Sequence, residues 1–103
     1  MKIRDFFDNV DKWTKGVYAR NASGDEVMPE DPDAVSWNLS GAIVLNYFYL
    51  VPDHLKTKEY TDSLAAKMHE ICDIIGTEEV WKWEAMPERT FEEVKSVIEK
   101  VDI

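Results

Sequence analysis

Ile3, Phe6, Phe7 and Val10 recur at the spacing of one helical face, while Asp5, Asp8, Asp11 and Lys12 fall on the other. The pattern predicts a short amphipathic helix that ends near Trp13 to Gly16. Val17-Tyr18-Ala19-Arg20 and Glu26-Val27-Met28 flank Asn21-Ala22-Ser23-Gly24-Asp25, a cluster that tolerates turns and positive φ, so a small β-hairpin is expected over residues 17–28. A lone two-stranded hairpin is marginal in water, which requires Val17, Tyr18 and Val27 to lie against helices.

Further along, Asp31 can cap a helix and Pro32 can occupy its first turn. From Ala34 through Tyr49 the chain is apolar on nearly every helical side, the pattern of a helix buried at the centre. The β-branched and aromatic residues from Ile43 to Val51 also permit a strand at its end. Pro52-Asp53 interrupts the run, and Thr57 is positioned as the cap of the next helix. There Tyr60, Leu64, Met68, Ile71, Cys72 and Ile75 form one apolar stripe that stops at Gly76. Thr77 to Trp83 has a cap and an acidic first turn but room for only one or two turns. Thr90-Phe91-Glu92-Glu93 has the capping-box form, and Phe91, Val94, Val97, Ile98 and Val101 supply the buried face of a last helix. The predicted fold is mainly α (α+β): a compact bundle of four to five helices with a small N-terminal β-hairpin.

Length leaves room for a single domain, 1–103. The net charge of −9 repels a polyphosphate backbone and argues against nucleic acid as a partner. The most apolar stretch, Ala42 to Val51, is about half of what a membrane span needs, and the first residues lack the continuous apolar run of an export signal. Cys72 is the sole cysteine, so no internal disulfide can form and a reducing, cytoplasmic location is expected.

Few residues assemble into a recognisable chemical set. His54 and His69 with one cysteine give no metal-ligand spacing, so no metal and no cofactor are expected. Cys72 sits within an apolar stripe and reads as packing. Ser36 and Ser40 lack the strand-turn-helix context of an exposed nucleophile. Asp25, Glu26, Glu30, Asp31 and Asp33 miss the alternating spacing of a calcium loop, and Pro29 and Pro32 interrupt them. The dispersed glycines build no phosphate loop. No catalytic residue is assigned.

Four tryptophans remain: Trp13, Trp37, Trp81 and Trp83. Core packing accounts for most large aromatics, but tryptophan also anchors protein interfaces. Residues two apart on a helix diverge by about 200°, so Trp81 and Trp83 cannot both face inward, and one of them is a candidate for exposure.

Trp13-Thr14-Lys15-Gly16-Val17-Tyr18-Ala19-Arg20, Asp31-Pro32-Asp33-Ala34-Val35-Ser36-Trp37 with Gly41-Ala42-Ile43, and Trp83-Glu84 with Arg89-Thr90-Phe91-Glu92-Glu93-Val94 stand in order along the chain. Together they resemble a family of small domains of unknown function found in bacteriophage and bacterial genomes. Only Tyr47 to Gly76 falls outside the resemblance. Such relatives usually carry Trp-Cys in the middle motif and Trp-Asn in the last, where this chain has Trp37-Asn38 and Trp83-Glu84. The resemblance implies no catalytic residue. It suggests structural uses: Gly16 at a turn, Trp37 and Gly41-Ala42 where a central helix meets its neighbours, and Thr90 as a cap.

These features favour a small acidic cytosolic accessory protein over an enzyme, one that acts by binding a host or viral protein, and the resemblance implies a phage or prophage origin. Its interface candidates are Trp81, Trp83, Asp25, Glu26, Glu30, Asp31 and Asp33. A second reading is a small-molecule-binding protein or enzyme, with Tyr18, Arg20, Trp37 and Asn38 lining a pocket between hairpin and central helix. A third is a self-associating structural component, a homo-oligomer joined through Trp81 or Trp83.

Overall fold

The computed structural model of the chain describes all of residues 1–103. Its order is α1 (Ile3–Phe6), a 3-10 turn (Val10–Lys12), β1 (Ala19–Asn21), β2 (Ala34–Trp37), α2 (Leu39–Val44) continued by a π-helical turn (Leu45–Tyr49), a 3-10 turn (Asp53–Leu55), α3 (Lys58–Ile75), α4 (Val80–Ala85) and α5 (Phe91–Val101). Five α-helices with a two-stranded antiparallel sheet make the mainly α architecture that the periodicities predict.

The helix ends are set by local chemistry. Thr57 accepts from the Tyr60 N–H and starts α3, and Gly76 closes it in the left-handed region at φ 77°. Thr90 and Glu93 form a reciprocal capping box on α5, satisfying two backbone donors that the helix itself cannot. The apolar face of α5 supplies Val94, Val97, Ile98 and Val101 to the core. There they meet Ile3 and Phe7 of the N-terminal segment, Leu39, Ala42 and Ile43 of α2, and Leu64 and Ile71 of α3. The two ends of the chain lie together: the Ile3 N–H donates to the Ile103 carbonyl at 2.8 Å. Val10, placed on the apolar face by periodicity, is instead exposed, because the helix ends at Phe6 and Val10 opens a separate 3-10 turn. No helix is long and apolar enough to cross a membrane.

The middle of the chain differs from its helical pattern. Ala34 to Trp37 is strand β2, and the helix begins at Leu39. The reason is a competition of caps. Asp31 accepts from the Asp33 N–H at 2.8 Å and closes a tight turn, whereas Asn38 accepts from the Gly41 N–H at 2.7 Å and starts α2. With the helix start moved to Asn38, Val35 and Trp37 adopt the extended backbone that β-branched and aromatic residues favour. The partner of β1 is therefore β2, with Ala19 opposite Trp37 and Arg20 opposite Ser36. The expected hairpin over 17–28 survives only as a narrow flap: the Val27 N–H donates to the Ala19 carbonyl, and Arg20 and Glu26 form one bridge. Ile43 to Val51 is not a strand. It continues as the π-helical turn, whose buried Asn46 donates its amide to the Ala42 carbonyl at 2.9 Å.

Candidate functional site

Tyr18 and Asn38 meet because β1 and the start of α2 are tied through the backbone. The Asn38 N–H donates to the Tyr18 carbonyl at 3.2 Å. Gly41, one turn into α2, lies so close that a Cβ there would overlap the Tyr18 carbonyl oxygen. The close approach expected at Gly41 is thus made by the lead-in to a strand rather than by a second helix. Opposite this junction, α4 presents Trp81. Gly16, Val17, Tyr18, Glu26, Asn38 and Trp81 enclose a cleft of about 210 Å³.

Polar groups in the cleft are unclaimed by the rest of the chain. Asn38 is 4% exposed, and its Oδ1 is fixed as the acceptor of the Gly41 N–H. The carboxamide Nδ2 on its other side has no hydrogen-bond partner within the protein, yet no fully enclosed side-chain nitrogen or oxygen goes unpaired. Nδ2 therefore keeps some contact with solvent, and Asn38 is among the residues that line the cleft. Gly16, in the left-handed region at φ 88°, and Val17 make no backbone hydrogen bond within the chain. Tyr18 and Trp81 are each more than half exposed, large aromatic walls open to water. The Lys82 ammonium lies 5.3 Å from the centre of the Trp81 ring and pairs with Glu79 at 3.1 Å.

Arg20 and Trp37 do not line this cleft. The Arg20 guanidinium turns back to Thr14 Oγ1 at 3.0 Å and the Gly24 carbonyl at 2.9 Å, bracing the flap. Trp37 donates its indole N–H to the Pro29 carbonyl at 2.9 Å and packs edge-on against Phe6. Trp83 lies against the core, its ring covered by the Arg89 guanidinium at 4.1 Å, so Trp81 is the tryptophan of the pair that faces solvent. Asp25, Glu26, Glu30 and Asp33 are exposed and Asp31 is half-buried. None of the five enters an ion pair, although seven ion pairs form elsewhere on the surface. The acidic segment and the lining of the cleft share Glu26.

Behind the cleft sits a group that sequence reasoning did not single out. Glu84, one turn beyond Trp81 on α4, is 1% exposed. Its Oε2 accepts from Trp13 Nε1 at 2.6 Å and from the Leu39 N–H at 2.8 Å, so one carboxylate joins the N-terminal segment, the first turn of α2 and α4. Burial lifts its pKa to about 7, against the pull of the Trp13 and Leu39 hydrogen bonds and the nearby Lys15 charge. Lys15 itself donates to the Met86, Pro87 and Arg89 carbonyls at 2.8, 3.3 and 3.1 Å. The legible signal was an acid flanked by Trp83 and Ala85 on a short helix. Sealed from water, Glu84 clamps the N-terminal segment, α2 and α4 together. No three His, Cys, Asp or Glu side chains converge as metal ligands.

The fold and cleft define a small α+β domain whose aromatic-walled recess is bordered by an acidic segment free of ion pairs. The chain belongs to a family of unknown function, DUF6197, whose model matches residues 3–101. No curated protein and no solved structure matches it.

Proposed function

We propose that this domain acts by binding another protein, and that it docks through the face formed by the cleft and the acidic segment from Asp25 to Asp33. The observation that carries this reading is Trp81: it is 55% exposed and walls a cleft whose other side is the equally exposed Tyr18. Exposed tryptophan and tyrosine flanking a recess are the usual energetic anchors of an interface. The five unpaired acids beside them supply a field that attracts a basic partner and raises its association rate. A cleft of about 210 Å³ is below the size of pockets that bury a drug-sized ligand, roughly 300–1,000 Å³, and suits one side chain of a macromolecule better than a cofactor. The single free cysteine, half-buried in α3, suits the cytoplasm. The resemblance to phage and bacterial domains makes a host or viral protein the class of partner.

The test replaces Trp81 with a photo-crosslinking phenylalanine analogue in the producing cell, with the same analogue at exposed Leu50 as control. A polypeptide crosslinked from position 81 and absent from position 50, and bound by the purified domain less tightly after Trp81→Ala, supports the reading. Adducts only to other copies of the chain would make the face a self-association surface. No adduct from position 81, with the domain folded, overturns docking there.

A further inference from the structure

The cleft also indicates which part of a partner it takes. Its lining includes a free donor: the Asn38 carboxamide, nine-tenths buried, with Oδ1 committed to the Gly41 N–H and Nδ2 unpartnered. A donor so placed calls for a carbonyl oxygen, the acceptor that every peptide unit carries. The adjoining wall is Gly16 and Val17, whose own backbone groups are unpaired, as suits a second backbone running alongside. Tyr18, Trp81 and Glu26 complete the lining. Aromatic faces attract cations, and the flat guanidinium does so with less hydration to lose than an ammonium while matching a carboxylate with a fork of N–H donors. Of the chain's own cations, Lys82 lies 5.3 Å from the centre of the Trp81 ring but pairs with Glu79, and Arg20, across the bridge from Glu26, spends its guanidinium on Thr14 and Gly24. Neither pairs with Glu26, and the guanidinium of a ligand has the Tyr18 ring and the other face of Trp81. An anionic ligand is disfavoured by Glu26 and by the four other unpaired acids of the segment.

We infer that the cleft binds an arginine residue in an extended segment of the partner: the guanidinium lies against Trp81 and Tyr18 and pairs with Glu26, and Asn38 Nδ2 donates to a carbonyl of the same segment. This rests on the protein-docking reading and adds the residue that is read.

The probe is a capped Gly-Arg-Gly peptide added at millimolar concentration to the full chain at low salt, followed by amide and side-chain N–H NMR shifts. The matched control is Gly-citrulline-Gly, which keeps the shape and loses the charge. The expected result is movement of the Asn38 side-chain amide, the Trp81 indole N–H and the Gly16 to Tyr18 amides with the arginine peptide only. Glu26→Gln should weaken that binding about twofold to fivefold, as loss of an exposed ion pair does. Asn38→Ser keeps a helix-capping oxygen and removes the amide donor, so it should weaken binding about threefold while the urea midpoint stays near wild type. Equal shifts with the citrulline peptide overturn the arginine assignment. Shifts confined to Asp25–Asp33 reduce the effect to diffuse charge attraction and overturn it as well. Wild-type binding by Asn38→Ser overturns the carbonyl contact. In each of these cases a partner crosslinked from position 81 leaves the docking reading standing, whereas failure of both experiments removes the two together.

Discussion

Glu84 is the one acid this fold takes out of water, and its titration has a definite sign. Unfolded, the carboxyl titrates near 4.5; folded, near 7. Between those values the folded chain holds more protons than the unfolded one, so stability falls as pH rises through the window and levels off above it. At ~1.4 kcal/mol per pH unit the window spans about 3 kcal/mol at most. Urea denaturation at pH 5 and pH 8 should show wild type losing about 2–3 kcal/mol relative to Glu84→Gln, which cannot ionise; parallel pH profiles would contradict the buried-carboxylate account. Glu93, held low by its hydrogen bond from Arg89, and Asp102, held low by Lys2, lose their contributions only as pH falls below the ordinary carboxylate range, outside this window. Gly41 makes a second residue-scale test. A methyl group there must displace the Tyr18 carbonyl, so Gly41→Ala should cost about 1–3 kcal/mol in the same assay, and an unchanged midpoint would show that the junction yields freely. Reading Trp81 and Trp83 as unable to face the same way anticipated that one is exposed. Which one was decided by Arg89 covering Trp83, a contact that depends on how the α4–α5 connection folds back.

At the level of elements, α2 starts at Asn38 and not at Asp31, and the two placements differ measurably. Asn38→Ala should cost about 1–2 kcal/mol by removing the cap, while Asp31→Ala should cost no more than a few tenths, since it only loosens a surface turn. Comparable losses would contradict the observed boundary. The helices that the sequence made legible, α3 and α5, carry both a clean apolar stripe and their own end signals: Thr57 and Gly76 for one, the Thr90–Glu93 box for the other. Ala34 to Trp37 carries no such internal signal. Its strand state comes from pairing with Ala19 to Asn21, a contact between segments on either side of the flap that no local periodicity encodes. The same displacement hid most of the cleft. Tyr18 and Asn38 were expected together and do line it, but Arg20 and Trp37 were turned elsewhere by local hydrogen bonds, and Trp81 and Glu26 were brought in from other elements.

For the whole molecule, part of the negative charge behind the net −9 has a local use. Acids in the first turns of α3 and α5 sit where the helix dipole favours them, and Asp8, Asp53, Asp62, Glu79, Glu93 and Asp102 are neutralised by ion pairs. The segment from Asp25 to Asp33 has neither use, and it adjoins the exposed aromatics of the cleft. Under the proposed function, this face is where a partner docks. The most direct test is the affinity of the partner captured from position 81 for two variants of matched stability, Trp81→Ala at the cleft and Leu50→Ser at the exposed end of the π-helical turn. Docking at this face should give at least a tenfold loss for Trp81→Ala, about the 1.4 kcal/mol or more that an interface anchor carries, and wild-type affinity for Leu50→Ser. Wild-type affinity for Trp81→Ala, or a loss confined to Leu50→Ser, would contradict it.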